Sequence, residues 1–157
     1  MPDLTHLRSK TLAAWLAVLG GTLGLHRMYL HGLADGWAWA QVPVTALGLV
    51  GLHRLLTLGQ DDRTAWLLLP LLGLSIAAAM LAAIVSALTP DERWNQRFNP
   101  GRSGVPGSGW GAVLAAVAAL LVGGTSLTGA VAYGGQKFFE WQLEGASSAQ
   151  NSSRLSP

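Results

Sequence analysis

Residues 9–32 have the sequence SKTLAAWLAVLGGTLGLHRMYLHG, and this stretch decides the fold class. Fifteen uncharged residues, 11–25, lead directly into His26, Arg27 and Tyr29. An arginine near the end of a membrane helix can extend its guanidinium to the lipid head groups, and tyrosine is common at that depth. No small-x-small cleavage site follows the apolar run. The stretch therefore predicts an uncleaved first membrane helix from Thr11 to about Leu30.

Two further stretches contain no charged residue over the length of a membrane span. Residues 65–88 and 110–133 are each 24 residues long, and the charged residues cluster in the connections. A helix of that length reaches about 36 Å, which exceeds the ~30 Å hydrocarbon layer. Neither stretch has the polar face that a helix of a soluble bundle presents to water. We therefore expect an all-α fold, an integral membrane helical bundle.

A fourth apolar stretch is shorter. Residues 36–52 are 17 uncharged residues, which is the lower limit for a span, and Pro43 interrupts them. This segment either crosses the membrane or dips in and returns, and crossing is the favoured interpretation. The sequence thus predicts about four transmembrane helices.

The order Gly24-Leu25-His26-Arg27-Met28-Tyr29-Leu30 resembles the signature of the TM-two domain family, which reads Gly-x-His-Arg-Phe-Tyr-Leu-Gly in its bacterial members. Met28 stands in place of the signature's Phe, and His31 in place of its closing Gly. The resemblance covers about a third of the chain and implies that residues 11–59 form a two-helix membrane hairpin. It implies no reaction, because the family has no agreed biochemical activity. The aspartate that usually ends the family's second helix has no counterpart inside the helix here.

The rest of the chain alternates apolar and polar segments. We expect a polar amino-terminal arm (1–10), a third transmembrane helix (65–88), an amphipathic and flexible connection (89–109), a fourth transmembrane helix with a polar extension (110–145) and a disordered tail (146–157). In the connection, Trp94 and Phe98 are four residues apart, as are Arg93 and Arg97. That spacing suits either a helix lying in the membrane interface with its arginines toward phosphates, or a solvated helical turn.

Gly-Leu-His-Arg occurs twice, at residues 24–27 and 51–54. Arginine binds phosphates and carboxylates through paired hydrogen bonds, so the two copies are candidate contacts with anionic head groups or a partner protein. The alternative is a pair of interfacial anchors, and two fully crossing helices would place the copies on opposite faces. The candidate interface residues are Gly24, His26, Arg27, Tyr29, His53 and Arg54.

Small residues at intervals of four mark candidate helix contacts, because membrane helices associate where small side chains allow close approach. These pairs either pack the helices of one chain or form contacts between copies, and packing within the chain is favoured. The candidate pairs are Gly20 with Gly24, Gly73 with Ala77, and Thr125 with Gly129.

The composition argues against several classes of function. The chain has no cysteine, and its four histidines are scattered without convergent acids, so we expect no metal, no cofactor and no catalytic residue. A net charge of +2 with basic residues placed singly gives no reason to expect nucleic acid as a partner. We expect a non-enzymatic module in the lipid bilayer that binds another membrane protein or itself.

The alternative function is a small oligomeric channel or carrier, lined by hydroxyl groups of the third and fourth helices. Orientation is weakly specified, and we lean to both termini being cytoplasmic. The excess of arginine over lysine, with much alanine, leucine and glycine, fits a bacterial protein of a GC-rich genome. We therefore expect a multi-pass protein of the bacterial cytoplasmic membrane.

Overall fold

The computed structural model describes residues 7–101 and 107–155. The first six residues of the predicted arm, residues 102–106 of the predicted connection and the last two residues of the predicted tail lie outside this part. All regular structure within the described part is helical, which confirms the all-α prediction. In chain order the helices are α1 (Lys10–Gly20), α2 (Leu25–His31), α3 (Gly36–Leu58), α4 (Arg63–Leu88), α5 (Asp91–Phe98) and α6 (Trp110–Leu155).

Three of the described helices, α3, α4 and α6, are long and apolar enough to cross a membrane. The first apolar segment is not one of them, because its regular helix ends at Gly20 and a 3₁₀ turn over Gly21–Leu23 follows. About four transmembrane helices were expected, and the described part of the chain has three helices of spanning length and one shorter apolar helical segment. The short fourth apolar stretch, residues 36–52, is by contrast part of α3, a regular helix of 23 residues that continues through Pro43.

The first apolar segment is a helical hairpin rather than one helix. Gly24 has φ +75°, a left-handed conformation that ends the 3₁₀ turn and reverses the chain. The α2 helix then returns along α1, so that the Tyr29 hydroxyl accepts a hydrogen bond of 2.8 Å from the Ser9 amide. Leu30 packs against Ala13, near the start of α1. Both ends of the segment therefore lie at the same end of the bundle.

The contacts define two ends of the bundle. At the Lys10 end, the Lys10 ammonium donates to the Thr89 carbonyl over 2.8 Å, and the indole of Trp15 donates to the carbonyl of Gly111. This end comprises residues 7–11, 27–37, 88–99 and 107–111. At the Arg63 end, which comprises residues 54–66 and 137–144, the Lys137 ammonium lies 4.8 Å from the ring centroid of Trp66. The helices α3, α4 and α6 each run from one end to the other.

The last helix is longer than predicted. We expected α6 to stop at Gly145 and a disordered tail to follow, but the helix continues through Gly145 to Leu155. No atom of the described chain lies within 4 Å of a Cβ placed at Gly145, so the glycine costs the helix only its intrinsic propensity. At ~1.5 Å per residue, the 46 residues of α6 span about 69 Å.

The core is built from small side chains. Most buried apolar residues are alanines, and one cluster joins Ala17 of α1 to Ala79 and Ala83 of α4 and Ala119 of α6. Large side chains such as Leu67 and Leu120 are exposed instead, at 75% and 64%. Lipid offers apolar side chains no penalty for exposure, and small residues let membrane helices approach closely. This arrangement is the one expected of a bundle surrounded by lipid.

The predicted packing residues have different outcomes. A Cβ at Gly24 would lie 2.4 Å from the Ala38 carbonyl oxygen, and one at Gly73 would lie 2.6 Å from the Ala130 methyl, so both glycines are at helix contacts. Gly20 abuts Leu25 within the hairpin, and Ala77 lines the α4–α6 groove.

Thr125 and Gly129 make no close packing contact within the described part of the chain, although Gly129 lines a groove between α4 and α6. Thr125 is exposed and bonds back to its own helix, and no described atom lies within 4 Å of a Cβ at Gly129. The face of α6 that meets α4 carries Gly123, Ser126 and Ala130 instead. Those positions are three and four residues apart and lie on the side of the helix that is turned toward α4.

Candidate functional site

The first Gly-Leu-His-Arg copy ends in an ion pair that fixes the connection to α3. The Arg27 Nε donates to Asp35 Oδ2 over 2.8 Å, and Asp35 in turn accepts a hydrogen bond from the Trp37 amide at the start of α3. His31 Nδ1 lies 3.7 Å from the same carboxylate. The hydrogen bond from Arg27 is the main reason that the pKa of Asp35 lies below its ordinary value. Arg27 is therefore partly neutralised within the chain.

The second copy ends in an ion pair of the same design. Arg54 binds Asp62 through two hydrogen bonds, Nε to Oδ2 at 2.7 Å and an η nitrogen to Oδ1 at 2.9 Å. Asp62 also accepts from the Ala65 amide and so caps α4. The Arg54 guanidinium lowers the pKa of Asp62 below its ordinary value. Two of its five guanidinium N–H donors are engaged by Asp62, so the charge of Arg54 is largely neutralised within the chain.

The structure shows that the two copies belong to a longer repeat. Trp39 donates its indole N–H to the Leu33 carbonyl over 2.8 Å, and Trp66 donates to the Gln60 carbonyl over 2.7 Å. The four-residue copies begin at residues 24 and 51, an offset of 27, and the same offset relates the arginines, aspartates and tryptophans. Our sequence analysis stopped at four residues and missed Asp35 and Asp62. The constant offset was the signal that could have found them.

The two copies nevertheless have different surroundings. His26 is buried at 5% exposure, whereas His53 is exposed. Gly24 contacts α3, and a Cβ at Gly51 would lie 2.6 Å from the Leu69 amide nitrogen of α4. The copies lie at opposite ends of the bundle, so the structure does not bring them together.

The residues that the structure does bring together are the first copy and the arginines of α5. His26, Arg27, His31, Arg93 and Arg97 line one groove of about 210 Å³, which we call the cationic groove. It opens between α2, α5 and the carboxyl-terminal part of α4.

The aromatic side chains of α5 form the inner wall of this groove. Trp94 is buried at 4% exposure, and its ring centroid lies 4.5 Å from that of Phe98. Arg93 and Arg97 are exposed, and the Arg97 guanidinium carbon lies 5.4 Å from the Phe98 centroid. The helix therefore has its aromatic side chains toward the bundle and its arginines outward.

A network of polar contacts holds α5 in place. The Lys10 ammonium lies 2.6 Å from Asp91 Oδ1, and the hydroxyl and amide of Ser108 both donate to the same carboxylate. The pKa of Asp91 is lowered to about 2, chiefly by the hydrogen bond from Lys10 and then by those from Ser108. The Trp94 indole donates to the Arg8 carbonyl over 2.8 Å. The amino-terminal arm, α5 and the start of α6 are thus joined.

Hydroxyl groups in the middle of the bundle are satisfied internally. Thr45 Oγ1 of α3 donates to the Thr22 carbonyl over 2.7 Å and lies 2.7 Å from Ser75 Oγ of α4. Because the Thr45 proton is used in the first bond, Ser75 donates in the second. These groups tie α3 and α4 to the 3₁₀ turn. In the part of the chain that the structure describes, no group of three metal-ligating side chains occurs.

Comparison of the chain with protein-family models, with curated proteins and with solved structures returns no match.

Proposed function

We propose that the chain is a non-enzymatic membrane interaction module whose contact surface is the Lys10 end of the bundle. The observation that carries this proposal is the cationic groove, in which α2 and α5 place three arginines beside two aromatic rings. Arginine and aromatic side chains are the residue types that most often dominate binding surfaces. The resemblance of residues 11–59 to the TM-two domain family remains part of the proposal.

In the proposed arrangement α3, α4 and α6 cross the membrane, and the α1–α2 hairpin enters and leaves on the same side. The amino-terminal arm then lies on the opposite side of the membrane from the end of α6. Basic residues are retained preferentially on the cytoplasmic side, which we therefore assign to the Lys10 end of a bacterial inner-membrane protein. Among described residues this side has five lysines and arginines against four on the other side: Arg8, Lys10, Arg27, Arg93 and Arg97 against Arg54, Arg63, Lys137 and Arg154.

Single cysteines test the arrangement, because the chain has no other thiol. Cysteines at Leu7, Leu33 and Pro100 are expected to react with an impermeant maleimide from one side of the membrane, and cysteines at Gln60 and Ser148 from the other. Leu7 is the decisive site. If it reacts together with Gln60 instead, the first apolar segment crosses the membrane and the re-entrant hairpin is refuted.

Co-purification in mild detergent tests the contact surface. The full-length protein is expected to capture a specific membrane partner that the double variant Arg93→Gln/Arg97→Gln loses. Arg63→Gln is the matched control, since Arg63 is exposed at 76% and lies at the other end of the bundle. Equal capture by the two variants would contradict the proposal. A homo-oligomer that makes liposomes permeable to one solute would support a channel or carrier instead.

A further inference from the structure

We propose that the cationic groove binds the phosphate group of an anionic ligand, either a phospholipid head group or a free phosphate. The inference rests on the proposed function and names the ligand class of its contact surface.

The charge balance of the groove favours an anion. Three arginines line it, and the described residues provide one carboxylate partner, Asp35, which is bonded to Arg27. Arg93 and Arg97 form no ion pair with any described acidic side chain. Two of the three guanidiniums therefore keep their full charge available for a ligand.

The arrangement of donors suits a tetrahedral oxyanion. Arg93 and Arg97 are four residues apart and so share one face of α5, while Arg27 reaches the groove from α2. A guanidinium presents its N–H donors as a planar fork that matches phosphate oxygens in pairs. Donors that converge on one groove from two helices can surround a phosphate, whereas a row of arginines along one helix cannot.

The groove is also held in shape before a ligand binds. The Trp94 indole and the Asn99 amide both bond to the Arg8 carbonyl, and Lys10 binds Asp91. A binding site whose backbone is already fixed loses less conformational entropy when it binds. His26 lines the same groove, and its buried Nδ1 has no hydrogen-bond partner among the described atoms.

The location favours a lipid as the source of the phosphate. The groove lies beside the last turn of α4, where the apolar span ends at Leu88, and Leu30, Val85 and Phe98 contribute apolar wall. Its volume of about 210 Å³ leaves ample room for a phosphate group.

Lipid binding by the full-length protein tests the inference. The protein is stripped of lipid in maltoside detergent, and binding of dioleoylphosphatidylglycerol, dioleoylglycerol and inorganic phosphate is measured by native mass spectrometry and calorimetry. We expect saturable binding of phosphatidylglycerol but not of the diacylglycerol, which has the same acyl chains without the phosphate. Arg93→Gln/Arg97→Gln should weaken this binding at least tenfold, and Arg63→Gln should change it less than twofold.

The outcomes separate the two sources of phosphate. Binding of phosphatidylglycerol alone identifies a lipid head group, and binding of inorganic phosphate with the same loss in the double variant identifies a free phosphate. Equal binding by the double variant and Arg63→Gln, or equal binding of the diacylglycerol and phosphatidylglycerol, overturns the inference. Circular dichroism verifies that the variants are helical, and Arg97→Glu replaces the double variant if that one does not fold, with the same tenfold loss expected.

The same variants distinguish failure of the inference from failure of the proposed function. If Arg93→Gln/Arg97→Gln loses the membrane partner but keeps phosphatidylglycerol binding, the inference is wrong and the contact surface stands. If the variant loses phosphatidylglycerol binding and keeps the partner, the inference stands and the partner contacts another surface.

Discussion

Gly24 is the residue on which the α1–α2 hairpin depends most directly. Its φ of +75° is strained for any residue with a Cβ, and its backbone lies against that of Ala38 in α3. A side chain would thus meet two obstacles, one conformational and one steric. The steric obstacle cannot be relieved by a rotamer change, because the nearest atoms belong to the α3 backbone.

We expect Gly24→Ala to lower the free energy of unfolding by about 3 kcal/mol or more, of which about 1–2 is conformational strain and the remainder overpacking. Gly101→Ala is the matched control, because Gly101 has the same φ of +75° and no described atom within 4 Å of its Cβ position. Gly101→Ala should lower the free energy of unfolding by the conformational strain alone, about 1–2 kcal/mol. Unfolding in mixed maltoside and SDS micelles, followed by circular dichroism, measures both. Equal losses would show that contact with Ala38 is unimportant.

At the scale of elements, the predictable features were those set by local composition. The charge-free runs 65–88 and 110–133 predicted the positions of α4 and α6, and the four-residue spacings of Arg93 and Trp94 predicted a helical segment at α5. The break at residues 20–24 was not predicted, because an apolar run with glycines is compatible with either a continuous or a folded helix. What decides between them is the contact of Gly24 with α3, which is distant in sequence.

The candidate site was only partly predictable for the same reason. His26, Arg27, Arg93 and Arg97 were identified separately, on two different segments. Nothing local indicates that they share a groove, because that depends on α2 folding back toward α5. A continuous first helix would have carried Arg27 to the far side of the bundle.

Hydrogen bonds of the Thr45 hydroxyl join α3 to α4 and to the 3₁₀ turn, and their contribution to stability can be measured. Thr45→Val keeps the shape of the side chain and removes its hydrogen bonds to the Thr22 carbonyl and Ser75. We expect a loss of about 1 kcal/mol in unfolding free energy. Thr125→Val is the control, since the Thr125 hydroxyl bonds only to its own helix and is exposed. If Thr125→Val lowers the unfolding free energy as much as Thr45→Val does, the Thr45 hydrogen bonds do not hold α3, α4 and the 3₁₀ turn together.

The attachment of α5 should depend on pH. The pKa of Asp91 is about 2 in the folded protein and ordinarily 3.8, so the carboxylate stabilises the fold above pH 3.8, and this contribution is lost as pH falls toward 2. We expect Asp91→Asn to cost about 1 kcal/mol at neutral pH, a modest value because the carboxylate is 35% exposed. The difference between wild type and variant should shrink between pH 4 and 2 in the same micelle assay. A difference independent of pH would exclude the Lys10–Asp91 ion pair as its source.

At the scale of the whole molecule, the bundle is held by contacts between small residues of α4 and α6. Gly73→Leu places a side chain where Ala130 and the Ser126 carbonyl oxygen already lie, at 2.6 Å and 2.9 Å from the Cβ position. We expect this variant to lose about 1–3 kcal/mol of stability through overpacking.

Gly135→Leu adds the same side chain to the face of α6 opposite Ser126, where no described atom is within 4 Å of the Cβ position. It should change stability by less than about 0.5 kcal/mol. Unfolding midpoints in micelles compare the two variants. If Gly135→Leu is instead the more damaging, or if it alone changes the mass of the complex on size-exclusion chromatography, the outer face of α6 is a contact between copies.

The length of α6 has a consequence for the aqueous space beyond the Arg63 end. A helix of about 69 Å exceeds the hydrocarbon layer by about 39 Å, so in the proposed arrangement α6 projects from the membrane as a rod. A molecule that binds the carboxyl-terminal end of α6 therefore does so at a fixed distance from the membrane and in a fixed direction around the helix axis. Removing seven residues from the projecting part would lower the tip by about 10 Å and rotate it by only about 20°, whereas removing two would turn it by about 160°. Height and facing direction can thus be varied separately.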